Sequence, residues 1–391
     1  MNILLIPNND WINHPVPAQR HYQVFERLGR RHNVYVIQFD IFRSRSKPTY
    51  TPRFVRIIRP FTIDVSDPAK FYAANLIFQG KKILSTIKEF DIEIVFGSNL
   101  AVCTLAFELG KLFGLKSIFD LSDFFPASVG AYYPKASRVS ASLLRSLTML
   151  ITMRNIKVAD LCTTCSDTLK QYIIKIAPNS RVERLPNGVD TTIFLPRPPS
   201  ESLKKEIGIG DNCLVYAGSI ESWLDFTVVF DALNILKKEG VDIQLLIIGR
   251  SIYSEKKDSL IREIANRGLN EQVRFVGYQP YERLPDFINV GIGGLIPFKV
   301  DSPLTQMAFP NKMLEYLACG KPVFAPPMKE LKRVCNEYLL SYQNPRGLAL
   351  QIKNAMSSNY CPEKIRKSVL DYDWEIIGDK LEALLQALVS E

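Results

Sequence analysis

The residues best placed for chemistry in this 391-residue sequence surround Lys312 and Glu315. Pro310 suits a first helical turn and Gly320 suits a left-handed helix end, so the segment predicts a short helix beginning near Asn311. Lys312 and Glu315 share one face of that helix because they stand three residues apart. With the free N–H groups of the helix start, they suit a nucleoside diphosphate: lysine at the phosphates, glutamate at the ribose. An ordinary surface ion pair is the alternative interpretation.

Two further cations, Arg250 and Lys299, directly follow predicted strands in the same half of the chain. The carboxyl ends of parallel strands form the ligand crevice of an α/β sheet, so both residues are candidates for binding the phosphates. For Arg250, an exposed loop position with no ligand is the alternative. A diphosphate held by a helix start and by cationic side chains needs no obligatory metal, and we expect no metal site and no other cofactor.

In the first half of the chain, Asp120 and Asp123 end a predicted buried strand, where a carboxylate can orient the hydroxyl of a substrate that accepts a transferred group. Capping of the next helix is the alternative for Asp123. The first strand is followed by a polar loop in which His14, Gln19 and Arg20 are candidates for contacting an acceptor or a diphosphate. Arg20 would open the following helix, where pairing with a neighbouring acid is its alternative role.

These residues are positioned by short apolar runs that alternate with helix-length segments, which is typical of parallel βαβ units. The predicted strands are Ile3–Ile6, Val34–Gln38, Ile92–Phe96, Ser117–Asp120 and Leu161–Thr164 in the first half, and Leu214–Gly218, Leu245–Ile248, Val273–Val276, Ile292–Ile296 and Val323–Ala325 in the second. A proline-rich segment between them, Leu185 to Pro199, precludes a helix or central strand. The pattern predicts two Rossmann-like domains.

Composition supports a globular protein with an anionic partner. Hydrophobic residues make up 47% of the chain and charged residues 23%, and the net charge is +9. Six basic residues fall in one stretch without an acid: Arg43, Arg45, Lys47, Arg53, Arg56 and Arg59. A solvated loop is the alternative, and nucleic acid is disfavoured because the stretch lacks a stacking platform. Basic and apolar residues also mix between Lys135 and Lys157, which suits either a membrane-surface helix or an internal one.

The N-terminus lacks the features of a signal peptide, and no apolar run approaches the ~20 residues that span a bilayer. Seven cysteines, an odd number, suit a reducing cytoplasm. Cys162 and Cys165 lack the second pair or nearby histidines that a metal site would need. These features predict a cytoplasmic location.

Three segments resemble the retaining glycosyltransferases of family four, which have the GT-B fold. The segment Phe309–Val323 resembles their donor-binding helix, Ala159–Ser166 a characteristic strand, and Arg184–Phe194, containing Pro-Asn-Gly-Val-Asp, their hinge. The resemblance implies two Rossmann-like domains facing across a cleft, with a C-terminal helix crossing back to the first. We therefore predict an N-terminal acceptor domain (1–192), a C-terminal donor domain (193–371) and a terminal helix (372–391).

The resemblance also implies donor contacts from Asn311, from Gly218 and Ser219 in one loop, and from Tyr278 in another. Two departures stand out. Met307 replaces the first glutamate of the family's Glu-x7-Glu motif, and Ser219 and Leu224 stand where its phosphate-binding arginine and lysine are expected. Sugar identity is therefore open, and other residues must neutralise the phosphates.

The sequence thus predicts transfer of a sugar from a nucleotide-diphosphate sugar to a lipid-linked or oligosaccharide acceptor, and the family resemblance implies retention of configuration. The basic segments suggest peripheral attachment to the anionic inner face of the cell membrane. The departures keep two alternatives open, since a fold does not determine an activity. They are a catalytically inactive GT-B subunit supporting a partner enzyme, and an epimerase or phosphorylase of the same fold.

Overall fold

A computed structural model describes residues 1–8, 10–12, 20–41, 51–65, 67–133, 136–251 and 256–391. The chain divides into two units. Unit 1 comprises Met1–Val129, Ser137–Asn187 and Trp374–Glu391, and unit 2 comprises Gly130–Ala136 and Gly188–Asp373.

The first half of the chain alternates strands with helices. The strands are β1 (Asn2–Ile6), β2 (Asn33–Ile37), β3 (Val55–Ile58), β4 (Ile94–Gly97), β5 (Lys116–Leu121), β6 (Leu161–Thr164) and β7 (Val182–Arg184). The helices are α1 (Arg20–Leu28), α2 (Pro68–Glu89), α3 (Leu100–Leu112), α4 (Phe125–Tyr132), α5 (Arg138–Val158) and α6 (Asp167–Ile176).

The second half repeats the alternation. Its strands are β8 (Cys213–Ala217), β9 (Gln244–Ile248), β10 (Val273–Gly277), β11 (Gly293–Leu295), β12 (Val323–Ala325) and β13 (Leu339–Ser341). Its helices are α7 (Glu201–Ile207), α8 (Phe226–Lys238), α9 (Lys256–Asn266), α10 (Leu284–Asn289), α11 (Pro303–Met307), α12 (Asn311–Ala318), α13 (Lys329–Cys335), α14 (Pro345–Ser357), α15 (Pro362–Lys367) and the terminal α16 (Trp374–Ser390). Short 3-10 helices lie at Tyr281–Arg283, Asn336–Tyr338 and Leu370–Tyr372.

Each unit is built on one parallel sheet with a Rossmann-like strand order. Among the described residues, unit 1 has the order β3-β2-β1-β4-β5-β6-β7 and unit 2 the order β10-β9-β8-β11-β12-β13. The strand order reverses direction between β1 and β4 and between β8 and β11, and ligands of open α/β sheets bind outside the carboxyl ends at such points. The predicted two-domain Rossmann-like fold is confirmed.

The two faces of the unit 1 sheet are covered by different helices. Ile118 of β5 belongs to a core that includes residues of α1 and α16, whereas the next residue, Phe119, packs its ring against Phe107 of α3. Successive residues of a strand point to opposite faces, so α1 and α16 cover one face and α3 covers the other. Helices α2 and α5 both contact α3 and complete that second layer.

The terminal helix α16 packs on unit 1 through an apolar stripe and an acidic one. Its buried residues are Trp374, Ile377, Gly378, Leu381, Leu385 and Leu388. Glu375 pairs with Arg27, Asp379 with Arg31, and Glu382 with His32, all from α1 or the turn after it. Every third or fourth residue is apolar, so burial of this stripe fixes the helix on the unit 1 core.

The boundaries between the units differ from those predicted at 192/193 and 371/372. Apart from the short segment Gly130–Ala136, which also belongs to unit 2, they lie at 187/188 and 373/374, where the chain after Gly188 is tied to the segment that precedes α16. The Val189 N–H donates to the Tyr372 carbonyl (2.9 Å), and the Thr191 N–H donates to the Asp373 carboxylate (3.0 Å). No helix of the described residues has the length and apolarity that crossing a membrane requires.

Candidate donor and acceptor sites

The helix predicted near Asn311 is α12, which starts after Pro310 and contacts β11 and β12 of unit 2. Its buried residues Met313, Leu314 and Leu317 anchor it to the sheet. Gly320, with φ 72°, follows the helix end in the left-handed conformation that the sequence predicts. The helix start therefore lies at the carboxyl edge of the sheet, with free backbone N–H groups.

The Lys312 ammonium lies directly over the end of β8. Its Nζ donates to the Tyr216 hydroxyl (3.1 Å) and lies 4.2 Å from the centre of the Tyr216 ring. It also occupies the space beside Gly218, where a Cβ would come within 2.6 Å of Nζ. Burial lowers the pKa of Lys312 to about 8, although the neighbouring Glu315 opposes this shift. The lysine is thus a largely desolvated cation held at the strand end.

Glu315 is a nearly buried carboxylate, with 6% of its surface exposed. Within the residues that the structure describes, its carboxylate makes no hydrogen bond and no ion pair at contact distance. Burial raises the pKa of Glu315 to about 7, and the Lys312 charge offsets part of that shift. A buried polar group normally has a partner, so this carboxylate is suited to accept hydrogen bonds from a ligand.

Three neighbouring strands of unit 2 end in glycines with positive φ: Gly218 (143°) after β8, Gly249 (141°) after β9, and Gly277 (70°) at the end of β10. A Cβ on Gly249 would stand 1.9 Å from the Gly218 carbonyl oxygen, so the two backbones touch. Glycine is needed here both for the conformation and for the close approach. The result is an edge without side-chain bulk that lets a ligand reach the backbone.

The other predicted donor residues lie around this edge. Arg250 and Tyr278 are exposed, and the Arg250 guanidinium stacks 5.2 Å from the Tyr278 ring centre. Half-buried Ser219 follows Gly218, and its carbonyl accepts a hydrogen bond from the Tyr216 hydroxyl. Lys299 is exposed in a segment joined to the loop after β8, because its N–H donates to the Trp223 carbonyl (3.0 Å). Asn311 is half-buried at the start of α12.

Two tyrosines support the edge and were missed by sequence reasoning. Tyr216 lies beneath Lys312, and the Tyr316 hydroxyl accepts from the Ala217 N–H (2.8 Å) while donating to the Leu295 carbonyl (3.4 Å). Tyr316 therefore links α12 to the ends of β8 and β11. Tyrosines inside apolar segments are typical core residues, so the sequence alone gave no signal for this role.

In unit 1, Asp120 is fully buried at the end of β5 and accepts four hydrogen bonds. Arg20 donates from Nε (3.0 Å) and Nη2 (2.9 Å), His21 Nε2 lies 2.9 Å away, and the Thr163 hydroxyl donates at 2.7 Å. Burial would raise the pKa of Asp120, but the charge of Arg20 and the bond to His21 outweigh it and hold that pKa well below its usual value. Asp120 is therefore a saturated carboxylate.

Arg20 forms an ion pair with Asp120. Pairing with an acid was the alternative role that the sequence analysis gave this arginine. Its Nη1 also donates to the Asn187 side chain (3.3 Å), so one guanidinium links α1, β5 and the segment after β7. Asp123 is exposed and makes no hydrogen bond with its carboxylate in the described part of the chain, so the capping alternative is not observed. His14 and Gln19 lie outside the described residues.

The fold, with its two parallel sheets of Rossmann order, is that of the GT-B glycosyltransferases. Sucrose-phosphate synthase from Thermosynechococcus elongatus superposes with a TM-score of 0.78 over 100% of both chains, at 16% sequence identity. Anabaena HepE, solved in complex with UDP-glucose, gives a TM-score of 0.69 over 99% of this chain and 100% of its own, at 14% identity. At such identities the likeness shows the fold alone.

Part of the sequence matches a known family. The model of the family described as "Glycosyl transferases group 1" matches residues 200–368, which confirms the predicted resemblance to glycosyltransferases for this part of the chain.

Two curated relatives are also described as glycosyltransferases. A protein described as a teichuronic acid biosynthesis glycosyltransferase, TuaH, from Bacillus subtilis is 26% identical over 230 residues, which are 58% of this chain and 54% of TuaH. The GDP-mannose-dependent alpha-(1-6)-phosphatidylinositol monomannoside mannosyltransferase of Mycolicibacterium smegmatis is 29% identical over 171 residues, 43% of this chain and 44% of that protein. The chain thus spans about half the length of the curated relatives it matches.

Proposed function

We propose that this protein is a glycosyltransferase that takes a sugar from a nucleotide-diphosphate donor bound at the edge of the unit 2 sheet. The observation that carries the proposal is the nearly buried Glu315 carboxylate, which has no hydrogen-bond partner among the described residues, beside the desolvated Lys312 at the start of α12. HepE was solved with UDP-glucose, and the mycobacterial relative uses GDP-mannose. Both donors are nucleotide-diphosphate sugars.

In this proposal, different residues of unit 2 bind the diphosphate, the ribose and the base of the donor. Lys312 and the N–H groups of α12 bind the diphosphate, with Arg250 and Lys299 as further cations. Glu315 accepts hydrogen bonds from ribose hydroxyls, and the base lies near Tyr278. Glycines at the strand ends leave room for the phosphates beside Gly218 and Ser219.

Transfer breaks the bond between the anomeric carbon and the diphosphate oxygen and forms a bond from that carbon to an acceptor hydroxyl oxygen. Negative charge develops on the departing diphosphate, so a fixed cation there lowers the barrier. Lys312 supplies that charge, and we expect neither an obligatory metal nor a further cofactor. Retention of configuration rests on the family resemblance.

Unit 1 is proposed to bind the acceptor. Asp123, being exposed, is the carboxylate available to orient the attacking hydroxyl and to receive its proton. Asp120 acts through its neighbours instead, as a positioning residue that fixes Arg20 and His21. His14 and Gln19 remain predicted acceptor contacts.

The acceptor is proposed to be lipid-linked, with the protein held peripherally at the anionic inner face of the cell membrane. The mycobacterial relative acts on a phosphatidylinositol monomannoside, which is a lipid. Arg53, Arg56 and Arg59 are exposed on and beside β3, and each basic residue near an anionic leaflet contributes ~1 kcal/mol. Arg43, Arg45 and Lys47 of the same stretch lie outside the described residues.

A panel of nucleotide sugars, each with and without polyprenyl-linked and soluble oligosaccharide acceptors, tests the proposal. Acceptor-dependent release of a nucleoside diphosphate together with a glycosylated product is expected, and Glu315→Ala should reduce it. Glu282→Ala, an exposed glutamate of the same unit, is the matched control.

Three results would contradict transferase activity. Donor binding without any transfer would favour an inactive subunit that supports a partner enzyme. Donor conversion without an acceptor, giving an altered nucleotide sugar, would favour an epimerase. Sugar-phosphate formation with inorganic phosphate would favour a phosphorylase.

A further inference from the structure

Helix α5 carries an uncovered row of aliphatic side chains. Val139, Leu143, Leu147 and Leu150 have 71%, 68%, 53% and 70% of their surface exposed. Their spacing of four, four and three residues places them along one face of the helix. A contiguous exposed apolar row on a folded domain marks a contact surface.

The fully buried residues of α5 all lie near its C-terminal end. The buried residues of the helix are Thr152, Asn155 and Ile156, and the Asn155 amide donates to the Leu100 carbonyl of α3 (2.8 Å). From Arg138 to Leu150 every residue is exposed or half-buried. The aliphatic row therefore lies on the part of α5 that has no fully buried residue, so an internal helix is not observed over Arg138–Leu150.

The charge of α5 is of one sign. Its 21 residues include Arg138, Arg145, Arg154 and Lys157 and no acid. Arg154 pairs with Glu108 of α3, and the other three have no ion pair with a described residue. An apolar row with basic residues and no acids is the composition of helices that lie in the interface of an anionic membrane.

The neighbouring helices extend this surface. Ile77 of α2 and Leu112 of α3 are also exposed, and α2, α3 and α5 together contain nine Lys and Arg residues against two Glu. On the opposite face of the same sheet, α1 and α16 contain three Lys and Arg residues against four Asp and Glu. The positive charge of unit 1's helices is thus concentrated on the side that exposes the aliphatic row.

We infer that the outer surface of α2, α3 and α5, here called the basic-apolar face, docks on a leaflet of anionic lipid, with the aliphatic row of α5 inserted among the headgroups. The inference rests on the proposed function insofar as it explains how a lipid-linked acceptor is reached. A second copy of the chain is a poor occupant, because two such faces would oppose cation to cation. The basic residues give salt-sensitive attraction, and the aliphatic row gives attraction that salt does not screen.

Co-sedimentation with vesicles tests this docking. The full-length protein should bind vesicles of 30% phosphatidylglycerol in phosphatidylcholine, bind phosphatidylcholine vesicles weakly, and keep part of its binding at 0.5 M salt. The triple variant Leu143→Gln, Leu147→Gln, Leu150→Gln should lose at least tenfold in partitioning, since glutamine preserves helix propensity while removing the apolar surface. The control is Ile261→Gln with Leu350→Gln, which removes exposed aliphatic residues of unit 2 helices.

A spectroscopic readout separates insertion from simple adsorption. The emission of the Leu147→Trp variant should shift to shorter wavelength when anionic vesicles are added, and that of the Leu350→Trp variant should not. Unchanged vesicle binding by the triple variant, or loss of binding only in Arg53→Gln, Arg56→Gln, Arg59→Gln, would overturn the inference. The inference would also be overturned if analytical sedimentation showed a dimer that the triple variant dissociates. Failure of the unaltered protein to bind anionic vesicles would overturn it as well.

Transfer to a soluble acceptor distinguishes this inference from the proposed function. The triple variant should keep that transfer while losing vesicle binding. If no transfer occurs with any acceptor but vesicle binding behaves as described, the proposed activity fails and the docking surface stands.

Discussion

Two buried carboxylates, Asp120 in unit 1 and Glu315 in unit 2, stand at the carboxyl ends of their sheets in opposite electrostatic states. Asp120 accepts four hydrogen bonds and has a pKa held well below its usual value. Glu315 accepts none from the described residues, and burial raises its pKa to about 7. The protein itself fills the hydrogen-bonding capacity of Asp120, whereas the Glu315 carboxylate keeps its capacity for a ligand.

The number of hydrogen bonds that the protein supplies distinguishes a structural carboxylate from one that binds a ligand. A saturated, fully buried carboxylate has no capacity left for a substrate, and its value lies in orienting its neighbours. A desolvated carboxylate without a partner costs the folded state free energy, and that cost is characteristic of binding and catalytic sites. Asp120 should therefore govern stability, and Glu315 should govern donor affinity.

The largest expected effect is on the stability of unit 1. Asp120→Asn leaves the Arg20 guanidinium buried without its counter-charge, which should lower the free energy of unfolding by ~3–5 kcal/mol. Chemical denaturation followed by tryptophan fluorescence measures this, since Trp11 and Trp374 lie in the unit 1 core. A loss below ~1 kcal/mol would show that the cluster is not a structural ion pair.

The second prediction concerns Glu315 and the pH dependence of the free energy of unfolding. Between its unfolded pKa and about 7, folded Glu315 holds a proton that the unfolded chain has released, so its contribution to stability falls as pH rises. From pH 5 to pH 8 the protein should lose ~1–3 kcal/mol relative to Glu315→Gln, which cannot titrate. Parallel stability profiles for the protein and Glu315→Gln would contradict the raised pKa, and Glu282→Gln serves as the exposed control.

A smaller effect is expected from Gly218→Ala. The new Cβ would meet the Lys312 ammonium, and φ 143° is strained for alanine, at ~1–2 kcal/mol. Displacement of Lys312 should weaken binding of a nucleoside diphosphate about tenfold. Gly240→Ala is the matched control, because that glycine also has positive φ but nothing stands within 4 Å of its Cβ position. Equal donor affinity in both variants would remove the Gly218–Lys312 contact from the site.

The smallest expected effect is that of a chelator. If helix N–H groups and cations hold the diphosphate, transfer in excess chelator should stay within about twofold of the untreated rate. Loss of transfer that added magnesium or manganese restores would show that a metal ion shares the neutralisation of the phosphates.

The sequence predicted the central strands and the start of α12 because these follow from local patterns. Short apolar runs predicted ten strands, and proline and glycine marked the ends of the helix that carries Lys312 and Glu315. The strands it missed, β3, β7 and β13, are all at sheet edges, where strands are short and carry charged or polar residues. Pattern analysis cannot separate such segments from loops.

The sequence could not predict the state of each carboxylate, because that depends on residues far apart in the chain. Asp120 is paired with residues 100 and 99 positions earlier, so its saturation is a tertiary property. Spacing placed Glu315 and Lys312 on one face of a helix, but whether the residues described around Glu315 offer it a partner depends on tertiary packing. Sequence reasoning could therefore place Lys312 and Glu315 on one face of a helix, but it could not determine the partners of Asp120.

Calorimetric titration with UDP and with GDP tests the central claim most directly. The unaltered protein should bind one of them, and Glu315→Ala should bind it ~10- to 100-fold more weakly, because lost hydrogen bonds to a charged group cost ~1.5–3 kcal/mol. Glu282→Ala should bind as the unaltered protein does. Unchanged affinity in a folded Glu315→Ala variant would contradict the claim that this carboxylate binds the donor.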